Sequence, residues 1–168
     1  MQFLTKFSSQ RRANRRIAGQ LYGTVLKQAL NVDLYSKGLG VDTFEGRFEQ
    51  LALHGALMLR ILRERGERGL AEALSDAIFA GFDHAHRERG AGDSSISRKV
   101  RKSGEAFYGL ARGLDQGFEE TEDKTMLAFV VRNGLAKENE KALVSYLRRA
   151  DKALRQVDSL ESVVWPKV

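Results

Sequence analysis

Apolar residues recur with the 3.6-residue period of an α-helix in every long segment of this chain, and no segment shows a convincing strand alternation. The clearest case is 96–114, where the apolar residues fall within about 80° of one another on a helical wheel and the charged residues lie opposite. At 168 residues the chain has the length of one domain. We therefore predict an all-α protein, folded as a single-domain bundle of about six helices over residues 1–168.

Capping residues and glycine-rich turns mark the predicted helix boundaries. The first helix is predicted to begin at Ser8 or Ser9, and 31–40 is predicted to be a non-helical connection. Five further helices follow, with start signals at Asp42 or Thr43, Leu70, Ser94 or Ser95, Thr121 and Asn139. Residues 160–168 form a C-terminal tail, which either docks through Trp165 or hangs free.

Positive charge is concentrated at the start of the chain. The first 32 residues carry the whole net charge of +6, because the remaining residues hold 22 basic and 22 acidic side chains. The ionisable side chains before Asp33 are all basic: Lys6, Arg11, Arg12, Arg15, Arg16 and Lys27. We distinguish 1–16 as a basic N-terminal segment, and whether it is ordered is open at this point. A second basic surface on the fourth predicted helix comprises Arg98, Arg101 and Lys102.

Basic helical faces of this kind bind phosphate groups through the release of counterions. Ribosomal RNA and an anionic membrane surface are therefore candidate contacts for the four arginines, which lie opposite the apolar residues of the first helix. No aromatic residues interleave with these cations, so sequence-specific reading of a single strand is not expected. The alternative is an ordinary docking helix whose charges are solvated.

Motifs for catalysis and cofactor binding are absent from the sequence. There is no cysteine, which excludes disulfides, thiol nucleophiles and cysteine-based zinc sites. The patterns GxSxG, GxGxxG and GxxxxGK[ST] do not occur. We predict no enzymatic activity, no cofactor, no metal and no small-molecule substrate. The alternative left open is a metal-dependent hydrolase that uses His54, Asp83 and His86.

No apolar run approaches the ~18 residues that a membrane-spanning helix requires, and 1–16 lacks the hydrophobic region of a secretory signal. Residues 1–16 have the composition of a mitochondrial transit peptide, but a periodic helix begins inside them. We expect a bacterial cytoplasmic protein, with the inner face of the membrane as a candidate location. The mitochondrial matrix is the corresponding compartment in a eukaryote.

Three stretches of the sequence resemble the ubiquinol–cytochrome c chaperone family. They are YGTVLKQALNVDLYSKGLGV (22–41), DTFEGRFEQLALHGALMLRIL (42–62), and the run from FDHAHRERGAGDSSISRKVRK (82–102) into AFYGL (106–110). The resemblance implies an all-helical, non-catalytic assembly factor of the cytochrome bc1 complex. Its implied partners are newly made cytochrome b or another bc1 subunit and, with a partner protein, the ribosome near its exit tunnel. A ribosome- or RNA-associated helical binding module is the alternative function.

The residues that match the family motifs are Gly46, Arg47, Glu49, His54, Asp83, Arg87, Glu88, Gly90, Gly92, Asp93, Lys99, Phe107, Tyr108 and Gly109. The chain departs from the family pattern at His84, His86 and the Ser94–Ser95 pair. Most matching positions have an equally good structural explanation. We keep four as candidates for partner binding: Arg47, His54, Asp93 and Tyr108. A groove between helices is expected to hold an amphipathic or hydrophobic segment of the client.

Overall fold

A computed structural model describes the backbone of residues 2–90 and 92–168 and the side chains of 8–90, 92 and 95–168. These residues form α-helices, one short 3-10 helix at Leu160–Ser162, and no strand. The α-helices are α1 (Gln2–Ala29), α2 (Val32–Ser36), α3 (Phe44–Glu64), α4 (Arg68–Glu88), α5 (Asp93–Glu119), α6 (Asp123–Asn133) and α7 (Glu140–Arg155). Apart from the single-turn α2, the described helices number six, which confirms the predicted all-α bundle.

The predicted start of the first helix is wrong, because α1 begins at Gln2 and not at Ser8 or Ser9. The hydroxyl of Ser8 accepts a hydrogen bond from Arg12 Nη2 at 2.9 Å. The two residues lie four apart within α1, so Ser8 bonds to a neighbouring side chain of the helix and does not cap its first turn. No proline or glycine occurs in 2–9 to stop the helix.

The connection predicted for 31–40 is also partly wrong, since it contains α2. Asn31 caps this turn, and its side-chain oxygen accepts a hydrogen bond from the backbone N–H of Asp33 at 3.0 Å. Three further starts differ: α4 begins at Arg68 and not at Leu70, α5 begins at Asp93 after Gly92, and α6 begins at Asp123 after Glu122. The cap predicted at Ser94 or Ser95 is displaced by two or three residues and the cap predicted at Thr121 by one residue, as is common for helix ends.

The cap at Thr43 is confirmed. Its hydroxyl oxygen accepts a hydrogen bond from the N–H of Gly46 at 3.0 Å and so starts α3. The chain turns tightly here, because a Cβ atom at Gly46 would lie 2.0 Å from the carbonyl oxygen of Val41. Only glycine permits this approach of two backbone segments.

The central element of the bundle is α3, whose residues 52–59 are all buried. The other long helices pack around it: α1 against α3 and α4, α5 against α3, α4 and α6, and α7 against α6 and α3. Each contributes one apolar stripe to a continuous core, as the helical period predicts. The predicted alternatives for the C-terminal tail are resolved in favour of docking, since Trp165 packs against this core.

The turn before α3 provides a first test of the fold. We expect Gly46→Ala to lower the free energy of unfolding by about 2 kcal/mol, because the added methyl group overlaps the Val41 carbonyl. Gly109→Ala is the matched control: a Cβ atom there meets nothing within 4 Å, so the change should stabilise α5 by about 0.5 to 1 kcal/mol. Urea unfolding followed by circular dichroism measures both effects. Equal stability of the two variants would contradict the tight turn.

Candidate functional site

An open groove with a volume of about 560 Å³ lies between the first turns of α3 and the N-terminal half of α5. His86, near the end of α4, and Asn133, at the end of α6, complete its lining. The apolar part of the lining consists of Phe44, Phe48, Ala106 and Leu110. We refer to this feature as the groove; the arrangement offers an apolar surface to a partner from outside the chain.

Small residues on α5 keep the groove open. Ala106 and Gly109 are both exposed and lie three residues apart on one face of the helix. A Cβ atom at Gly109 would meet nothing within 4 Å, so the space beside it is not needed for packing within the chain. Larger side chains at these two positions would fill the groove.

The two walls of the groove carry opposite charges. Glu45 and Glu49, one helical turn apart, line the α3 side, and Lys99 and Lys102 line the α5 side. Glu45 forms an ion pair with Arg89 at 3.4 Å. Glu49 is half-buried, and among the described residues it has no ion-pair or hydrogen-bond partner. Burial, and secondly the charge of Glu45, raise the pKa of Glu49.

Contacts from the end of α4 hold the two walls in place. The guanidinium group of Arg89 lies over the ring of Phe44 at 4.1 Å. His86 Nε2 and the hydroxyl oxygen of Ser103 are 2.8 Å apart, which joins α4 to α5. Burial, followed by the charges of Lys99 and Arg89, lowers the pKa of His86, which favours its neutral form.

Three of the four predicted partner-binding residues, Arg47, His54 and Tyr108, lie outside the groove lining. Arg47 is exposed on α3 and donates from Nε to the Asp42 carboxylate at 2.8 Å. Tyr108 is 57% exposed on α5, with its ring 5.8 Å from that of Phe79. Asp93 is the first residue of α5, and its side chain lies outside the described part of the chain. Arg47 and Tyr108 stay candidates, each on a surface of its own.

For His54 the prediction of a partner contact is wrong, because the side chain is completely buried. Its Nδ1 lies 2.7 Å from the carbonyl oxygen of Gln50, and its Nε2 lies 2.8 Å from the hydroxyl oxygen of Tyr146. A carbonyl oxygen only accepts, so Nδ1 carries the proton and Nε2 accepts from the tyrosine. The tyrosine oxygen in turn accepts from Gln28 Nε2 at 2.9 Å. His54 therefore links helices inside the protein.

The structure does not bring the proposed metal-binding trio together. His54 is buried, Asp83 pairs with Arg87 at 2.7 Å, and His86 is bonded to Ser103. Within the described residues, no group of three histidine, aspartate or glutamate side chains is placed to hold a metal ion. The structure therefore does not support a metal site built from His54, Asp83 and His86.

The predicted basic residues are exposed, on two separate helices. Arg11, Arg12, Arg15 and Arg16 lie on α1; Arg98, Arg101 and Lys102 lie on α5, and Lys102 also lines the groove. Helix α1 runs parallel to α4, since Asn14 contacts Gly69 and Tyr22 contacts Gly81. Because 8–12 are all exposed, the first turns of α1 extend past the start of α4.

The model of the ubiquinol-cytochrome C chaperone family matches residues 40–164, and this stretch contains every residue that lines the groove. The chain belongs to this family. The resemblance predicted from the motifs is thereby confirmed.

A crystal structure of the Cbp3 homolog from Brucella abortus shows the same fold as this family member. The TM-score is 0.82 and the identity 23%, over 98% of this chain and 97% of that one. A comparison with curated proteins found no match.

The family match does not extend to residues 1–39, which include the four arginines of α1. In the part of the chain that the structure describes, no helix is both long and apolar enough to cross a bilayer.

Sequence reasoning expected a groove between helices but did not identify the residues that line it. Phe44, Phe48 and Leu110 have core spacing, and Glu49 and Gly109 matched family motifs without being chosen as contacts. The available signal was the pair of small residues, Ala106 and Gly109, on one face of an amphipathic helix.

The buried His54 gives a prediction of pH dependence. Burial lowers its pKa to about 4, from an ordinary value of 6.5. The unfolded chain therefore binds a proton that the folded chain does not, and stability should fall by about 3 kcal/mol as the pH falls from about 6.5 to about 4. In His54→Gln this part of the pH dependence should disappear, while the exposed His84→Gln control should keep it. Urea unfolding at a series of pH values measures this; an unchanged slope in His54→Gln would contradict the buried neutral imidazole.

Proposed function

We propose that this protein is a non-catalytic chaperone and assembly factor for the ubiquinol–cytochrome c reductase (bc1) complex. It binds newly made cytochrome b, or a related membrane-protein client, at the inner face of the membrane. Family membership supports the role in bc1 assembly. The observation that carries the proposal is the open apolar groove between α3 and α5.

The groove suits an apolar segment of another chain. Phe44 and Phe48 are only partly covered by the protein's own residues, and Ala106 is exposed. A contiguous apolar surface of this kind usually marks a binding site. A volume of about 560 Å³ lies within the usual range for binding pockets, roughly 300 to 1,000 Å³. An amphipathic client helix that lays its apolar face in such a groove is a common mode of recognition.

The groove also contains a serine and a histidine at hydrogen-bonding distance, Ser103 and His86, which invites comparison with a hydrolase. Acyl transfer, however, needs donors aimed at the developing oxyanion. Ser103 lies in the interior of α5, where the backbone N–H groups are engaged in helical hydrogen bonds. This placement supports binding without catalysis.

Filling the groove tests the proposal. Gly109→Met places a side chain in the open space beside Ala106, and we expect recovery of cytochrome b and other bc1 subunits with the tagged chaperone to fall about tenfold. The measurement is affinity purification from solubilised membranes. Gly19→Met is the matched control, because Gly19 is also exposed, helical and open, on α1.

Thermal unfolding of both methionine variants shows whether each remains folded. Equal recovery of bc1 subunits with the two variants would contradict binding in the groove. Normal bc1 assembly after deletion of the gene would contradict the assembly role itself.

The second candidate function is association with the ribosome or another RNA. The specific observation that favours it is the exposure of Arg11, Arg12, Arg15 and Arg16 where α1 extends past α4. Such a surface steers the protein to phosphate groups, either of ribosomal RNA or of an anionic membrane.

Replacement of these four arginines by alanine should abolish co-sedimentation with ribosomes, and wild-type binding should weaken steeply with salt, because counterions are released on binding. The matched control removes four exposed cations elsewhere: Lys124, Arg132, Lys141 and Lys152. The control should bind like the wild type if the position of the charge matters and not only its amount. Binding that is absent or insensitive to salt excludes this candidate; anionic vesicles provide the parallel measurement for a membrane.

A further inference from the structure

We infer that the groove selects apolar segments that are followed by basic side chains, and that the carboxylate of Glu49 pairs with one of them. This inference rests on the proposed function, since it names the class of segment that the client offers. The segment has the chemistry of the inner end of a transmembrane helix, where apolar residues give way to lysine and arginine.

Glu49 differs from the other charged residues of the groove. Lys99 and Lys102 are exposed and keep their hydration, and Glu45 is exposed and paired with Arg89. Glu49 alone among these four is half-buried, and no cation of the described residues pairs with it. It is therefore the group whose lost hydration an occupant can best replace.

The fold gains nothing from the charge of Glu49. Burial and the neighbouring Glu45 both disfavour its ionised form, which raises its pKa and makes the carboxylate a cost to stability. A basic side chain that enters the groove from outside the protein stabilises the ionised carboxylate of Glu49 and so offsets this cost. A charge that costs stability in the free protein is typical of a residue that serves binding.

Charge complementarity also determines the orientation of the occupant. A lysine or arginine of the client is attracted to the α3 wall, where Glu49 lies beside Phe48, and is repelled by Lys99 and Lys102 on the α5 wall. The apolar residues of the client then cover Phe44, Phe48 and Leu110. The reversed arrangement places like charges together and is disfavoured.

Peptide binding to the full-length protein tests the inference. Three fluorescent peptides share one apolar stretch and end in Lys-Arg, Gln-Gln or Glu-Glu, and their affinities are compared by fluorescence anisotropy at fixed ionic strength. We expect the Lys-Arg peptide to bind about tenfold more tightly than the Gln-Gln peptide. Glu49→Gln should remove this preference, so that the Lys-Arg and Gln-Gln peptides bind the variant with equal affinity.

Glu72→Gln is the matched control, because it removes an exposed carboxylate from α4 away from the groove; it should keep the preference. Glu49→Gln should unfold at the same temperature as the wild type or higher, so that a loss of binding cannot be ascribed to unfolding. A preference that persists in Glu49→Gln, tightest binding of the Glu-Glu peptide, or no binding of any peptide would each overturn the inference.

Failure of the charge preference is distinguishable from failure of the proposed function. If all three peptides bind equally and Gly109→Met still reduces recovery of bc1 subunits, the groove binds clients without regard to charge. If Gly109→Met recovers bc1 subunits as well as Gly19→Met does, client binding in the groove itself is wrong.

Discussion

The structure depends on the burial of residues 52–59 of α3 from every side, because a buried helix can pair its polar side chains only inside the protein. His54 and Gln50 are both completely buried. The chain from His54 through the Tyr146 hydroxyl to Gln28 ties α3 to α7 and α1. The Gln50 amide donates to the carbonyl oxygens of Leu39 and Leu135, each at 3.1 Å, and so holds the segments that follow α2 and α6. Since leaving any of these groups unpaired is costly, the network fixes how the surrounding helices are placed.

The two ends of α3 are held very differently. Near its C-terminus, Arg60 forms ion pairs with Asp151 at 2.9 Å, Glu64 at 3.0 Å and Asp115 at 3.4 Å, which join α3 to α7 and α5. Near its N-terminus, the first turns border the groove, and Glu49 has no partner among the described side chains. The rigid end supports the open one, which is how a pre-formed binding surface keeps its shape without an occupant.

The apolar period was sufficient to predict the amphipathic helices, since a single stripe faces the core in α5 and α7. The apolar period did not predict α2, because this helix is a single turn that depends on the cap at Asn31. The residues of the expected groove escaped prediction because Phe44 and Phe48 have core spacing, and a helical wheel does not show that Ala106 and Gly109 lie across from them. His54 was kept as a candidate contact because it matches a family motif, although the apolar residues on all sides of it in 52–59 indicate a buried helix. Contacts between distant segments determine both the groove and the burial of His54.

The basic surface of α1 and the groove lie at opposite ends of α4. Asn14 contacts Gly69 near the start of α4, whereas His86 lines the groove near its end. Seventeen residues at the helical rise of about 1.5 Å separate these two points by about 25 Å. A client residue bound by Glu49 therefore does not also contact the arginines of α1. Under the proposed functions, α1 can hold the protein at an anionic surface while the groove takes up or releases a client segment, because the two contacts do not compete for the same atoms.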